Sequence, residues 1–480
     1  MKETIQSWKK EPRDKKLQYC CVLAMLLAEL MFFSPPVLAT GAAALCVDYF
    51  MVIPAGLFLL ITLYRGINRK GRAAFVLGFV MAAWAVAAEV LRILFGMDFF
   101  APGETAMYYG LALPMAFALV DEQRQWGITA FALLFVLTGI RLCIQAAGLI
   151  LGVLPESYSI YVRWDGPRLV QLFHPTSCAA LLMLGMGFCL ALCFRTKKGW
   201  VRALLIILTI FQFVVQCMTN GRNAVGFTCL MMGGFLFCAL RGTGWKRALV
   251  ALVAGAALAA VLFVASQTMY AIHERQMYNA ALRQMQSVQM EEAAVAEQTQ
   301  KPEADDRLDQ PGELPEQAGE TLPQIDERPV LSAVNEQGSL REDLLTFNGR
   351  TVIWAQAIDG ALRHPTILLC GTDSMAEILA EGGKTHAEHT HNSYLETLYT
   401  FGLPGLALAI AITLLTLRAA VLVLWKNTDL WKSCVAVITL CLLGSSLLEP
   451  YLFAAKNYHH YFCVLFLVAV GYLHQWSLGE

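Results

Sequence analysis

Asn348-Gly349-Arg350-Thr351-Val352-Ile353-Trp354, followed through Cys370-Gly371-Thr372-Asp373 by His389-Thr390-His391-Asn392-Ser393-Tyr394-Leu395-Glu396, forms a polar island set directly against an apolar run. A helix needs about 20 apolar residues to cross a bilayer, and the run starting at Leu395 supplies them, so the last histidines are expected beside a membrane surface. A reaction between soluble partners needs no such placement.

Outward from this stretch the chain stays apolar. Of 480 residues, 57% are hydrophobic and only 15% charged, against about a quarter charged in soluble domains. Apolar stretches of spanning length fall near 17–38, 42–64, 72–96, 105–121, 126–151, 169–194, 200–218, 223–240, 246–267, 395–425, 430–448 and 457–476. The fold class expected is an all-α polytopic membrane protein of about twelve transmembrane helices, with one large extracytoplasmic loop between spans nine and ten. The formal net charge of -1 conceals a segregation of sign. Loops holding Arg65/Arg69/Lys70/Arg72, Arg195/Lys197/Lys198/Arg202, Arg241/Lys246/Arg247 and Lys426/Lys432 alternate with loops poor in Lys and Arg. The basic set shares a side with the basic leader Met1 to Lys16, which places both termini in the cytoplasm by the positive-inside rule.

The organisation expected is a membrane domain over 1–267, an outer loop over 268–394 and a second membrane domain over 395–480. Within the loop, 273–300 has the pattern of an amphipathic helix. Residues 291–330 are acidic, carry Pro302, Pro311, Pro315, Pro323 and Pro329, and have too few large apolar side chains to fold. A folded catalytic part is expected over 340–394, where Val352, Ile353, Ala357, Ile358, Ala361 and Leu362 make a helical stripe that His364-Pro365 ends. Of fourteen cysteines only Cys370 lies in the long polar segment, so the thiols read as small membrane-buried side chains rather than as disulfides.

Asn-Gly-Arg occurs at 220–222 and again at 348–350, each time just before a helical pattern. Helix starts offer unpaired N–H groups, and a guanidinium adds a planar fork of donors suited to phosphate oxygens. Arg222 and Arg350 thus suggest two anchors for one polyanion; singly, each reads equally well as a snorkelling or solvated charge. His391 is the candidate general base, because a neutral imidazole accepts a proton at ambient pH, and Asn392 is placed to orient it or a substrate. His386, Glu388, His389 and His391 are also dense enough in donors to suggest a metal, although the His-x-x-His-x-His spacing fits no strong zinc signature. Arg163, Arg168 and His174 before the sixth span, and Glu449 after the eleventh, are ionisable groups at membrane ends and hence further site candidates. Glu89 and Arg92, three apart, are expected to pair with each other or with other helices. There is no Walker loop, dinucleotide fingerprint or Asp-x-Asp, which argues against ATP and nucleotide sugars, and the acidic outer loop argues against nucleic acid. A glycolipid flippase or other transporter is the rival class; it calls for polar groups at the bilayer midplane and repeated halves, and no repeat is seen.

The spans, the outer loop, Arg222 opening the eighth span, Arg350 with Trp354, and His391-Asn392-Ser393-Tyr394-Leu395 followed by Gly402-Leu403-Pro404-Gly405 resemble the O-antigen ligase and polymerase superfamily of bacterial envelopes. Arg168 to Ala180, with His174-Pro175, is similar to that family's sixth-span region. The resemblance implies a bacterial cytoplasmic membrane protein with its active site on the extracytoplasmic face and an inverting transfer from an undecaprenyl-diphosphate-linked glycan. The acceptor hydroxyl is on a glycan, lipid, protein or cell-wall component, with ligase and polymerase both open. It further implies that Arg222 and Arg350 hold the diphosphate and that His391 assists the acceptor, with Asn392, Tyr394, Arg163, Arg168, His174 and Glu449 in support and with neither metal nor nucleotide. Two departures stand out: Gly221 occupies a position commonly Ser, and the acidic insert is unusual.

Overall fold

The computed structural model describes residues 12–32, 54, 57, 60–61, 64, 72–97, 125–154, 162–165, 167–171, 175–241, 245–299, 350–372, 374–381, 389–426, 429–453 and 460–478. The span expected at 105–121, most of that at 42–64 and the bulk of the acidic insert lie outside these residues. The described elements are α1 Arg13–Phe32, α2 Arg72–Leu94, α3 Trp126–Ile150, strands β1 Val162–Asp165 and β2 Arg168–Gln171, α4 Pro175–Arg195, α5 Gly199–Met218, α6 Arg222–Leu240, α7 Trp245–Thr299, α8 Arg350–Arg363, α9 Pro365–Cys370, α10 Met375–Glu381, α11 Ser393–Lys426, α12 Leu430–Ser445 and α13 His460–Ser477. Among them, six are long and apolar enough to cross a membrane: Gly127–Ile150, Pro175–Arg195, Gly199–Met218, Arg222–Leu240, Lys246–Met290 and Ser393–Lys426. Two compact units are present, Met1–His273 with Ile353–Glu480, and Glu274–Val352.

In the larger unit α4 is the central helix, buried almost throughout from Ser177 to Cys193. Lipid tails are as apolar as leucine, so the helices around it need close approach and hydrogen bonds to choose partners. The Gln216 amide in α5 donates to Ala179 O in α4 at 2.8 Å and to Thr228 Oγ1 in α6 at 2.9 Å, tying three helices together. Gly139 and Gly185 make room for Gln212, since a Cβ at either would come within 2.4 and 2.3 Å of its Oε1.

Three expectations give way. The fold is mostly helical but not purely so, because β1 and β2 pair as an antiparallel hairpin with Val162 opposite Gln171 and Asp165 opposite Arg168. For the same reason the sixth span starts at Pro175 rather than at 169: Leu169, Val170 and Gln171 are buried as a strand. Residues 291–299, assigned to the disordered insert, belong to α7; that part contains only Glu, Ala, Val, Gln and Thr, mostly good helix formers, ahead of Pro302. In the loop part, α8 stops at Arg363 as the sequence requires, but Pro365 then opens α9 from its first turn, where its missing N–H costs nothing. Only Ile353, Ala357 and Ala361 of the expected stripe are buried, whereas Val352, Ile358 and Leu362 are exposed.

The largest correction concerns α11. Its backbone leaves the helical region at Gly402 (φ 69°, ψ -170°), and the Tyr394 hydroxyl lies 2.7 Å from Thr413 Oγ1. Nineteen residues along a continuous helix would set these two positions about 28 Å apart. The contact requires that Ser393–Phe401 fold back along the helix that follows Gly402. The apolar run from Leu395 is therefore a half-helix turned against the true span, not the start of it. Ser393 lies near the level of Thr413, about 16 Å along that span from the Gly402 turn, so the histidine motif is recessed from the helix end.

Breaking a helix frees carbonyls that must find other donors, and here three in succession do. Tyr399 O accepts from Thr372 N, Thr400 O from Arg92 Nη2, and Phe401 O from Trp84 Nε1 at 2.7 Å. Arg92 is 1% exposed, donates from Nε to Cys370 O at 3.0 Å, and pairs with Glu89 at 3.3 Å, as its spacing predicts. No side chain fits at the turn: a Cβ on Gly402 would meet Leu369 O at 2.5 Å and Cys370 N at 2.9 Å.

Basic side chains gather at one end of this unit. Arg195 Nη1 donates to Thr129 Oγ1 at 2.8 Å and lies 5.1 Å from the centre of the Trp431 ring. Arg241 Nη2 donates to Ser433 Oγ at 2.8 Å, and Lys432 Nζ lies 5.5 Å from the Trp476 ring centre.

Candidate functional site

At the opposite ends of the same helices, the turn after α12 gathers the starts of three helices. Asn223 Nδ2, one residue into α6, donates to Ser445 O at 3.2 Å. Ser393 N, opening the half-helix, donates to Ser446 O at 2.9 Å, and its Oγ donates to Glu449 O at 3.1 Å while accepting from Leu452 N at 3.0 Å. Tyr451 OH donates to Thr176 O at the start of α4 at 3.1 Å. Three N-terminal helix ends, each with orphan N–H groups and a partial positive charge, thus meet one loop carrying a carboxylate.

That carboxylate is Glu449, 2% exposed, whose Oε2 lies 3.3 Å from His391 Nδ1. With Nδ1–H donating to Glu449, Nε2 is left as the acceptor nitrogen. His391 is partly exposed, stands at φ 53°, and packs edge-on against His389 with ring centres 4.0 Å apart. A non-glycine residue in the left-handed region is strained by on the order of 1 kcal/mol or more and persists where its neighbours over-determine it.

Those neighbours are in place. Asn392 caps the half-helix, its Oδ1 accepting from Tyr394 N at 2.9 Å and Leu395 N at 3.1 Å, while its Nδ2 donates to Leu447 O at 2.9 Å. Both ends of its amide serve the backbone, so Asn392 holds the loop that carries the imidazole. Tyr394 likewise points to Thr413 and fixes the fold-back. On the other flank, Thr390 O accepts from Trp354 Nε1 at 2.9 Å, and Thr390 N and Oγ1 donate to Glu396 Oε2 at 3.1 and 2.9 Å.

Arg222 opens α6 as its motif predicts. Asn220 sits at φ 51°, and Arg222 N donates to Asn220 O at 2.9 Å, a tight turn that ends the preceding loop. Gly221 is explained by this turn: a Cβ there would come within 2.5 Å of Ala179 Cβ. The Arg222 side chain is half-buried and makes no hydrogen bond or ion pair among the described residues. Arg350 opens α8 and falls in the smaller unit, Glu274–Val352. Arg163 and Arg168 are exposed on the hairpin, which is steadied where Trp164 packs 5.1 Å from the His273 ring and His273 Nε2 lies 3.1 Å from Pro167 O. His174, His386 and Glu388 lie outside the described residues. Among the described residues no three His, Cys, Asp or Glu side chains are grouped to hold a metal ion. Burial raises the Cys370 thiol above its ordinary pKa, with Arg92 opposing, so it stays protonated at neutral pH and is a poor nucleophile.

The structure thus brings together His391, Glu449, Asn392 and the start of Arg222's helix. It adds Thr390, Glu396, Asn223 and Ser446, which the sequence did not single out; a lone Glu in a first helical turn, with a Thr six residues before it, was the signal for one pair. A comparison with curated proteins finds no match. Residues 214–410 match the family model described as O-antigen ligase, a stretch that takes in Arg222, Arg350, His391 and the Gly402 turn. Over that stretch the chain is similar to the O-antigen ligase family.

Proposed function

We propose that this protein transfers a glycan from an undecaprenyl-diphosphate carrier to an acceptor hydroxyl at the extracytoplasmic face of the bacterial cytoplasmic membrane, with inversion and without a metal. The observation that carries the reading is His391 held against buried Glu449 on the turn that also receives the first residues of Arg222's helix. In this mechanism His391 Nε2 takes the acceptor's hydroxyl proton as the acceptor oxygen attacks the anomeric carbon. The bond from that carbon to the diphosphate oxygen breaks on the opposite side, and the electron pair leaves with the diphosphate. Glu449 stabilises the imidazolium that forms, as a carboxylate does in hydrolytic triads. Arg222 and Arg350, with the positive helix ends, offset the charge developing on the leaving group.

Purified enzyme in liposomes with a synthetic undecaprenyl-diphosphate glycan tests the reading. The product anomer is expected to be opposite to that of the donor, the carrier diphosphate to be released one for one, and the rate to survive exhaustive chelation. Retention of configuration, or activity restored to chelated enzyme by one particular ion, contradicts it. Envelope glycan from a deletion strain separates the two acceptor classes: a polymerase defect leaves single repeat units, a ligase defect leaves full chains on the carrier.

A further inference from the structure

The reading of His391 as base leaves unexplained a second carboxylate, Glu396, which is 1% exposed and therefore costly to hold in the protein. We infer that Glu396 is a positioning residue for the transfer reaction, acting through Thr390 to hold His391 in its left-handed backbone conformation; this rests on the base role proposed above. Glu396 sits in the first turn of the folded-back half-helix, and its Oε2 receives both the backbone N–H and the hydroxyl of Thr390. The remaining polar group of Thr390, its carbonyl, receives the Trp354 indole N–H. Thr390 itself is fully buried, so the residue before His391 is fixed in its backbone and its side chain by partners from two helices. Asn392 fixes the residue after it. His391 at φ 53° is thereby clamped from both sides, and its imidazole is directed to Glu449 rather than into the many rotations an open loop would allow.

The roles of the two carboxylates differ. Glu449 meets the imidazole and answers its charge; Glu396 meets Thr390, the residue before His391, and answers its geometry. Glutamine at 396 can still present an oxygen to both Thr390 donors, whereas alanine leaves the buried Thr390 N–H without its acceptor and leaves the hydroxyl only Asn392 O, 3.1 Å away.

A double-mutant cycle tests the inference, read as single-turnover transfer rate and, separately, as donor binding, on full-length protein with a folded fraction checked by size-exclusion chromatography. Glu396→Ala is expected to lower the rate by about 10- to 100-fold with donor affinity unchanged, and Glu396→Gln to recover most of it. In a His391→Ala background, Glu396→Ala is expected to lower the rate no further, since what it positions is already gone. An equal loss in both backgrounds, or a loss of donor affinity that tracks the rate, overturns the positioning role. Thr390→Val, which keeps shape and the backbone N–H but removes the hydroxyl, gives a second route: a normal rate there together with a normal rate for Glu396→Ala contradicts the inference. If His391→Ala alone transfers at the parent rate, the base assignment fails instead, and the two failures are told apart by that single variant.

Discussion

The two ends of the larger unit are built from the same helices and differ in how their charges are held. At one end Arg195, Arg241 and Lys432 reach hydroxyls and indole faces, contacts that tolerate sliding and face solvent or headgroups. At the other, Glu449, Glu396 and Arg92 are each nearly inaccessible; Glu449 meets the His391 imidazole, while Glu396 and Arg92 are joined to backbone atoms, beside a loop with a non-glycine residue at positive φ. Burying charge and straining backbone both oppose folding, so their concentration at one end is what a reacting site demands and an anchoring end does not. Charge count alone does not distinguish the two ends in this way.

The contrast is broken most severely at the turn that creates the recess. Gly402→Val is expected to abolish folded, inserted protein, since it adds a clash with the Leu369–Cys370 backbone to a positive φ, together at least about 2 kcal/mol. Detergent-extracted monomer on size exclusion is the measurement, and a normal peak with normal activity would show that α11 does not fold back. Arg222→Ala comes next, with transfer reduced about 10- to 100-fold through weaker donor binding and slower departure of the diphosphate; lysine should rescue poorly because it lacks the planar fork.

Thr413→Val removes the hydroxyl that Tyr394 meets, worth about 0.6–1 kcal/mol within a bundle, and should lower the midpoint of thermal inactivation while leaving donor affinity intact. Arg195→Ala at the anchoring end should keep activity within about twofold of the parent, which an assay of membranes at matched expression would establish. Topology is read by labelling: in a Cys370→Ser background, Ser339→Cys should react with an impermeant thiol reagent in intact cells and Thr196→Cys should not. The reverse pattern would exchange the faces assigned to the two ends.

Much of this was legible in the residues. The Asn-Gly-Arg motif at 220–222 does open a helix, His364-Pro365 does stop one, and Glu89 does pair with Arg92, because each of these is set by spacing within a turn or two. What escaped was direction. Hydropathy sees Leu395 to Lys426 as one apolar run, and Gly402-Leu403-Pro404-Gly405 as a mild interruption of it; the reversal is decided by Thr372, Arg92 and Trp84 binding the freed carbonyls, contacts far away in sequence. The hairpin escaped because its strands are four residues each and the buried half of β2 merges with the apolar helix that follows. Glu396 escaped because an acid in a first helical turn is sufficiently explained by the helix dipole, and nothing local reveals that it faces inward.

In the proposed mechanism binding and chemistry reside in different side chains, and His391→Ala separates the two. With donor bound and acceptor in excess, the variant should hold lipid-linked donor as tightly as the parent and transfer it about 10²–10⁴-fold more slowly in a single turnover. A folded, inserted His391→Ala enzyme that transfers at the parent rate would contradict the claim, as would one whose whole loss lies in donor affinity.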